Sequence, residues 1–186
     1  LMIRLLIVSD AWRPQLNGVV RTLENLALEI RTRGHEVEFI TPDLFKTIPC
    51  PTYPEISLAI LPGRRVARMI DDFAPTAIHI ATEGPLGLAA RRYCLKHGIP
   101  FTTSFHTRFP DYLAARFGLP ASWFYALLRR FHDAAARTLG CKPLPPFGHG
   151  NLHTIGARTL ADSYHCSRYN LNTARLTPAM FDAVLE

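Results

Sequence analysis

Side chains able to do chemistry gather in three short stretches of the sequence, residues 10–18, 82–84 and 105–110. The first two stretches carry the carboxylates Asp10 and Glu83, which can accept hydrogen bonds from the hydroxyl groups of a ligand. Each carboxylate also has a structural interpretation. Asp10 can orient the loop that follows it, and Glu83, just before a predicted helix, can stabilise the positive end of the helix dipole. We expect Glu83 to contact a ligand, and both interpretations of Asp10 stay open.

The third stretch carries a histidine and an arginine, His106 and Arg108. An imidazole there can hydrogen-bond a hydroxyl or share a proton near neutral pH. A single histidine is more often a structural hydrogen-bonding group, which is the favoured interpretation on residue type alone. Arg108 can pair with a phosphate or an acidic group of a ligand, and a surface ion pair is its structural alternative.

Asn17 and Gly18 stand where the first predicted helix begins. The unpaired N–H groups and the dipole of a helix N-terminus attract phosphate or a sugar oxygen, and glycine lets a ligand come close to the backbone. Asn17 can instead cap the helix. These two residues predict a ligand contact, with capping as the structural alternative.

Strands and helices alternate along the first three quarters of the chain. Apolar runs predict strands over residues 3–9, 35–41, 56–62, 76–82 and 99–106, and helical spacing predicts helices over residues 19–33, 64–75, 85–98 and 121–138. This alternation is typical of an α/β fold with a mainly parallel sheet flanked by helices. Ligands of such sheets bind beyond the carboxyl ends of the strands, where the three polar stretches lie.

A dinucleotide-binding enzyme is the first alternative for a sheet of this kind. It requires the pattern G-x-G-x-x-G after the first strand and an acidic residue closing the second strand. The glycine pattern is absent, and Asp43 is the only acidic residue close to the second strand's end. The sequence therefore disfavours a nicotinamide enzyme.

Three motifs in order, SDAWRPQLNGVVRTL (9–23), HIATEGPLG (79–87) and TSFHTRFPDY (103–112), resemble the N-terminal domain of family-4 retaining glycosyltransferases. The resemblance covers residues 3–139. It is closest to the bacterial branch of GDP-mannose-dependent mannosyltransferases and of sulfoquinovosyl- and glycosyl-diacylglycerol synthases. It implies the Rossmann-like N-terminal half of a GT-B fold, whose missing C-terminal domain holds a GDP- or UDP-sugar donor while this half binds a lipid or glycan acceptor.

The resemblance also implies roles for the polar residues. His106 matches the histidine that faces the transferred sugar and becomes the candidate catalytic residue. Asp10, Asn17, Gly18, Glu83 and Arg108 become candidate substrate-binding residues. Retaining transfer in this family needs no protein nucleophile, because the leaving diphosphate helps to take the acceptor proton. The resemblance implies no cofactor. A non-catalytic module that binds a glycan or lipid is the alternative function.

Composition narrows the class of protein. The 186 residues carry a formal net charge of +6, a balance compatible with phosphates, anionic lipid or nucleic acid. Nucleic acid is disfavoured because no basic stripe is interleaved with aromatic residues. Scattered cysteines and the absence of any apolar run near the roughly 20 residues that span a bilayer predict a cytoplasmic protein. The basic amphipathic pattern over residues 121–138 favours a helix packed on the sheet. Peripheral contact of this helix with the inner face of the plasma membrane stays open as the alternative.

The sequence changes character after residue 139. Residues 140–186 have no sustained apolar period, and only residues 177–186 predict a short helix. Zinc is suggested by four residues of this stretch, His149, His153, His165 and Cys166. The spacing H-x-x-x-H is usable, but no regular partner pair accompanies it, so no metal site is expected. We therefore predict a glycosyltransferase N-terminal domain over residues 2–139, followed by a divergent tail that is poorly ordered or a frameshift product. Such a chain is expected to be inactive without a donor domain.

Overall fold

The protein is described by a computed structural model that covers residues 2–14, 18–50, 54, 56–104, 118, 120–141, 146, 148–155, 158–164 and 168–185. It divides into two compact units, Leu1–Thr138 and Leu139–Glu186. The polar stretches described above belong to the first unit.

A four-stranded parallel sheet forms the centre of the first unit. It consists of β1 (Arg4–Val8), β2 (Glu36–Ile40), β5 (Ala77–Ile80) and β6 (Thr102–Thr103), in the order β2-β1-β5-β6. All three neighbouring pairs are parallel. The carboxyl ends of the strands therefore meet at one edge of the sheet, as the alternating pattern predicts.

Among the described residues of the first unit, four helices flank this sheet. They are α1 (Gly18–Thr32), α2 (Gly63–Phe73), α3 (Pro85–His97) and α4 (Ala121–Thr138). Helix α3 begins at a proline, whose fixed φ suits the first turn, and ends at Gly98, whose φ of 64° is the left-handed conformation that glycine adopts without steric cost. These helices lie where the apolar spacing predicts them.

Alternate residues of the strands supply two apolar clusters, one on each face of the sheet. Leu6 and Val8 of β1 belong to a cluster with residues of α2, α3 and α4, while Ile7 belongs to a cluster with Leu23 and Ala27 of α1. Helices therefore cover both faces, and the predicted α/β fold with a Rossmann-like sheet is confirmed.

Within residues 56–62 the strand is β4 (Ser57–Ala59), and it lies outside the parallel sheet. It pairs antiparallel with β3 (Thr47–Pro49) in a separate two-stranded sheet. The sequence did not predict β3, because three residues ending in a proline carry almost no strand signal. A 3-10 helix, Pro42–Leu44, precedes this small sheet.

The second unit contains more regular structure than the sequence predicts. Strands β7 (Leu152–Ile155) and β8 (Arg158–Ala161) pair antiparallel, and the helices α5 (Arg168–Asn172) and α6 (Pro178–Leu185) follow. Only α6 was predicted. The hairpin strands have four residues each, too few for alternation to stand out from the surrounding proline, glycine and asparagine.

Candidate functional site

Asp10 lies directly beyond the carboxyl end of β1 and receives three hydrogen bonds from the segment that follows β5. The backbone N–H of Leu86 donates to Oδ1 at 2.8 Å, and that of Gly87 donates to Oδ2 at 3.2 Å. The Thr82 hydroxyl donates to Oδ2 at 2.9 Å and accepts from the Asp10 N–H at 2.6 Å. Leu86 and Gly87 belong to the first turn of α3, so Asp10 satisfies N–H groups that have no partner within the helix.

The electrostatics of Asp10 follow from this position. The residue is only 7% exposed, and its burial raises the pKa of the carboxyl above the ordinary value of 3.8. The hydrogen bonds from Leu86, Gly87 and Thr82 oppose that rise. A carboxylate at a helix N-terminus is also favoured by the helix dipole. The Asp10 carboxylate therefore occupies the N-terminus of α3, a place where related folds bind a phosphate.

Two glycines allow Asp10 and α3 to come this close. A Cβ on Gly84 would lie 2.7 Å from each carboxylate oxygen of Asp10, which is too close for non-bonded atoms. A Cβ on Gly87 would overlap the carbonyl oxygen of Thr82. Gly84 has an ordinary φ of −78°, so the requirement for glycine there is steric rather than conformational.

Glu83 is one residue from this cluster but points to a different partner. Its Oε1 lies 3.1 Å from Nε2 of His132 on α4, and Nδ1 of the same ring lies 2.9 Å from Oγ1 of Thr103 at the end of β6. The side chains of His132 and Glu83 are 24% and 26% exposed. One imidazole thus connects the segment after β5 with the end of β6.

His79 on β5 makes a parallel set of contacts. Its Nδ1 lies 2.8 Å from Oγ1 of Thr102, and its Nε2 lies 2.7 Å from Oγ of Ser104. Successive strand residues point to opposite faces. The hydroxyls of Thr102 and Ser104 therefore serve His79, whereas that of Thr103, between them, serves His132.

The loop that follows Asp10 is held by two contacts near its start. The rings of Trp12 and Phe39 have centroids 4.8 Å apart, and Arg13 Nη2 lies 2.7 Å from Glu24 Oε1. Gly18 is the first residue of α1 and is exposed. A Cβ built there would have no atom within 4 Å, so the space beside this helix N-terminus is open.

The structure brings the two predicted carboxylates to the same edge of the sheet. Asp10 follows β1 and Glu83 follows its neighbour β5, with Thr82 bonded to Asp10 between them. Helix capping, which the sequence offered as an alternative for Glu83, is carried out by Asp10. Three further predicted site residues, Asn17, His106 and Arg108, lie outside the described residues. Ligand contact by any of these residues stays a prediction.

The place of His132 in this cluster is not predicted by the sequence. The available signal is a titratable residue on the packed side of α4, next to the buried Phe131 and three positions before the buried Ala135. The amphipathic spacing of that helix indicates its packed face but gives no role to the imidazole. Its partner Glu83 is 49 positions away, so no local pattern indicates the pairing.

Within the described residues, no group of three or more histidine, cysteine, aspartate or glutamate side chains is arranged to hold a metal ion. No helix in the described part of the chain combines the length and apolar character needed to cross a bilayer.

Comparison with known families decides the membership of this α/β unit. The family model described as Glycosyltransferase Family 4 matches residues 16–142. The chain belongs to glycosyltransferase family 4. The match includes the sequence segments that follow β5 and β6 and confirms the resemblance inferred from the motifs.

Three curated proteins are similar to about three quarters of this chain. A GDP-mannose-dependent alpha-mannosyltransferase of Mycobacterium tuberculosis (strain CDC 1551 / Oshkosh) is 27% identical over 158 residues, 74% of this chain and 41% of the relative. An alpha-monoglucosyldiacylglycerol synthase of Acholeplasma laidlawii is 33% identical over 156 residues, 75% of this chain and 36% of the relative. A GDP-mannose-dependent alpha-mannosyltransferase of Mycolicibacterium smegmatis (strain ATCC 700084 / mc(2)155) is 25% identical over 154 residues, 73% of this chain and 41% of the relative.

The matched region therefore spans 36–41% of the length of these relatives. No solved structure matches the chain significantly. Family membership rests on sequence, and the parallel sheet agrees with it.

Proposed function

We propose that this chain is the acceptor-binding half of a retaining glycosyltransferase that transfers a hexose from a nucleotide sugar to a lipid or glycan. The family match over residues 16–142 carries this proposal. The relatives' names add mannose from GDP-mannose as one donor chemistry and a glucosylated diacylglycerol as one product. Because those relatives are much longer than the matched region, we assign donor binding to a second domain, without which the chain is inactive.

The carboxyl edge of the sheet supports the acceptor role. Glu83 is partly exposed there and can accept a hydrogen bond from an acceptor hydroxyl. Asp10 fixes the start of the first loop, and Gly18 leaves the N-terminus of α1 open to a donor phosphate or acceptor oxygen. We assign contact with the transferred sugar to His106.

Two more contacts belong to the same proposal. Arg108 pairs with a phosphate or an acidic acceptor group, and Asn17 caps α1 or contacts the ligand beside it.

In the transfer itself, the bond from the anomeric carbon to the diphosphate breaks, and a bond to the acceptor oxygen forms on the same face. The acceptor proton passes to the leaving diphosphate, so the protein contributes position and electrostatics and no nucleophile.

Helix α4 supports contact with a lipid surface at the cytoplasmic side of a membrane. Trp123 and Leu127, four positions apart and so on one side of the helix, are each 67% exposed. Arg130, three positions after Leu127 and so on the same side of the helix, is exposed as well. Exposed apolar side chains next to arginines are typical of helices that lie on anionic bilayers.

Isothermal titration of the purified full chain tests whether this chain binds the acceptor and leaves the nucleotide-sugar donor to a second domain. We expect binding of a soluble acceptor analogue, dioctanoylglycerol or methyl α-D-mannopyranoside, and no firm binding of GDP or UDP. Firm nucleotide binding by this chain alone would contradict the assignment of the donor site to another domain. Absence of binding to both acceptor analogues would contradict the acceptor role.

A further inference from the structure

A hydrogen-bonded chain of three side chains joins three elements at the carboxyl edge of the sheet. Glu83 follows β5, His132 belongs to α4 and Thr103 ends β6. Both ring nitrogens of His132 are within hydrogen-bond distance of a partner, at 3.1 Å from Glu83 Oε1 and 2.9 Å from Thr103 Oγ1. An imidazole held at both nitrogens cannot turn freely, so its position is defined by the sheet on one side and by Glu83 on the other.

The chemistry of the partners assigns the proton on the ring. An ionised Glu83 can only accept hydrogen bonds, so Nε2 of His132 must carry the proton and donate to Oε1. In the neutral ring Nδ1 is then the acceptor, and the Thr103 hydroxyl donates to it. The hydrogen bonds are thus donated in one direction, from the Thr103 hydroxyl to the ring and from the ring to the Glu83 carboxylate.

The two oxygens of Glu83 are therefore not equivalent. Oε1 is occupied by His132, whereas Oε2 has no hydrogen-bond partner among the residues that the structure describes. The side chain of Glu83 is 26% exposed and is therefore accessible from solvent. Asp10 differs, since protein donors occupy both of its oxygens.

We infer that His132 is a positioning residue, which holds Glu83 Oε1 so that Oε2 accepts a hydrogen bond from a hydroxyl of the acceptor. This inference rests on the proposed acceptor-binding function. Without the imidazole, the glutamate side chain regains rotamer freedom, and fixing it again on binding reduces affinity. The structural alternative is that the contact only fastens α4 to the sheet, in which case acceptor affinity is independent of it.

Three variants separate these interpretations. His132→Phe keeps an aromatic ring of similar size and removes both hydrogen bonds. His132→Gln retains an amide donor for Glu83 and a carbonyl acceptor for Thr103. His97→Phe is the control, because His97 lies at the end of α3 and contacts Tyr93 rather than the site.

Dissociation constants for dioctanoylglycerol and methyl α-D-mannopyranoside, measured by NMR titration of the full-length chain, give the readout. We expect His132→Phe to weaken binding by about tenfold, as loss of a charge-assisted contact does, and His132→Gln to restore it to within about threefold. His97→Phe should bind as the wild type does. If His132→Phe is folded and binds both probes as tightly as the wild type, the inference is overturned.

Two further measurements cover the remaining outcomes. Should His132→Phe fail to fold, Thr103→Val removes only the hydroxyl that donates to Nδ1 and should weaken binding in the same direction. Unchanged binding by Thr103→Val in that case would overturn the inference. In protein labelled with ¹⁵N in the imidazole rings, His132 should show the Nε2–H form, and the other tautomer would contradict the assigned donor.

Failure of the proposed function gives a different pattern. If the wild type binds neither probe, the acceptor-binding function is contradicted, and the inference about His132 falls with it. If the wild type binds and Glu83→Gln binds equally well, the function stands and the role given to Glu83 Oε2 is wrong.

Discussion

The segments after β1 and β5 each carry a carboxylate at the same edge of the sheet, but the two carboxylates have different hydrogen-bond partners. Asp10 is 7% exposed and accepts hydrogen bonds from Thr82, Leu86 and Gly87. Glu83 is 26% exposed and is held through one oxygen by His132. Position at a strand end is therefore insufficient to assign a role. The number of protein donors that already occupy the carboxylate separates a structural anion from one that can bind a ligand.

Removal of the Asp10 carboxylate should have the largest effect on stability. Asp10→Ala leaves two buried N–H groups and the Thr82 hydroxyl without their acceptor, so we expect the free energy of unfolding to fall by about 3 kcal/mol. Urea denaturation followed by circular dichroism measures the change. Asp72→Ala, at an exposed carboxylate of α2, is the control and should change stability by less than about 0.5 kcal/mol. Equal effects of the two substitutions would remove the distinction drawn for Asp10.

Crowding of the Asp10 carboxylate should have the next largest effect. Gly84→Ala places a methyl group against the carboxylate oxygens, and we expect a loss of about 2 kcal/mol in the free energy of unfolding. Gly63→Ala is the matched control, since no atom lies within 4 Å of a Cβ there. In an Asp10→Ala background the cost of Gly84→Ala should shrink, because the crowded group is gone. Additive effects in this cycle would show that the strain lies elsewhere.

Substitution of the second carboxylate should affect stability least. Glu83→Gln keeps an oxygen acceptor at a partly exposed place, so we expect a change below about 1 kcal/mol in the free energy of unfolding. Thermal unfolding measured beside the Asp10 variants gives the comparison directly. A loss as large as that of Asp10→Ala would mean that Glu83 is as structural as Asp10.

The pH dependence of stability sharpens the contrast further. Because burial raises the pKa of Asp10 above 3.8, the native state keeps the proton to higher pH than the unfolded chain does. The resulting stabilisation is complete below the unfolded pKa and is lost as the pH rises through the folded pKa. The stability of the wild type minus that of Asp10→Asn, which does not titrate, should therefore decrease from about pH 3 to pH 7. An increase over this range would show a lowered pKa instead.

Much of the first unit could be predicted from the sequence because its signals are local. The apolar run of β1 and the helical spacing of α1 need no knowledge of the rest of the chain. Parallel order then places Asp10 and Glu83 at one edge of the sheet. That Asp10 caps α3 and Glu83 does not could not be predicted, since either carboxylate can accept hydrogen bonds from the N-terminus of that helix. The choice depends on a close approach across the sheet, which Gly84 and Gly87 permit.

The pairing of Glu83 with His132 was beyond sequence analysis for a related reason. It depends on how α4 packs against β6, and the residues between them in the sequence contain no pattern that reports this packing. The strand β3 and the hairpin of the second unit were missed because segments of three or four residues give too few positions for a period to be recognised. Short strands are recognised through their partners, and partners are known only from the structure.

The contact between Gly84 and Asp10 has a consequence for sequence divergence. A side chain at position 84 and a carboxylate at position 10 exclude each other sterically, although 74 positions separate them in the sequence. Loss of the glycine while the aspartate is present therefore crowds the carboxylate, whereas loss of the aspartate first leaves room for a side chain at position 84. The two positions should accordingly change as a pair, and a redesign that enlarges residue 84 should begin by shortening residue 10.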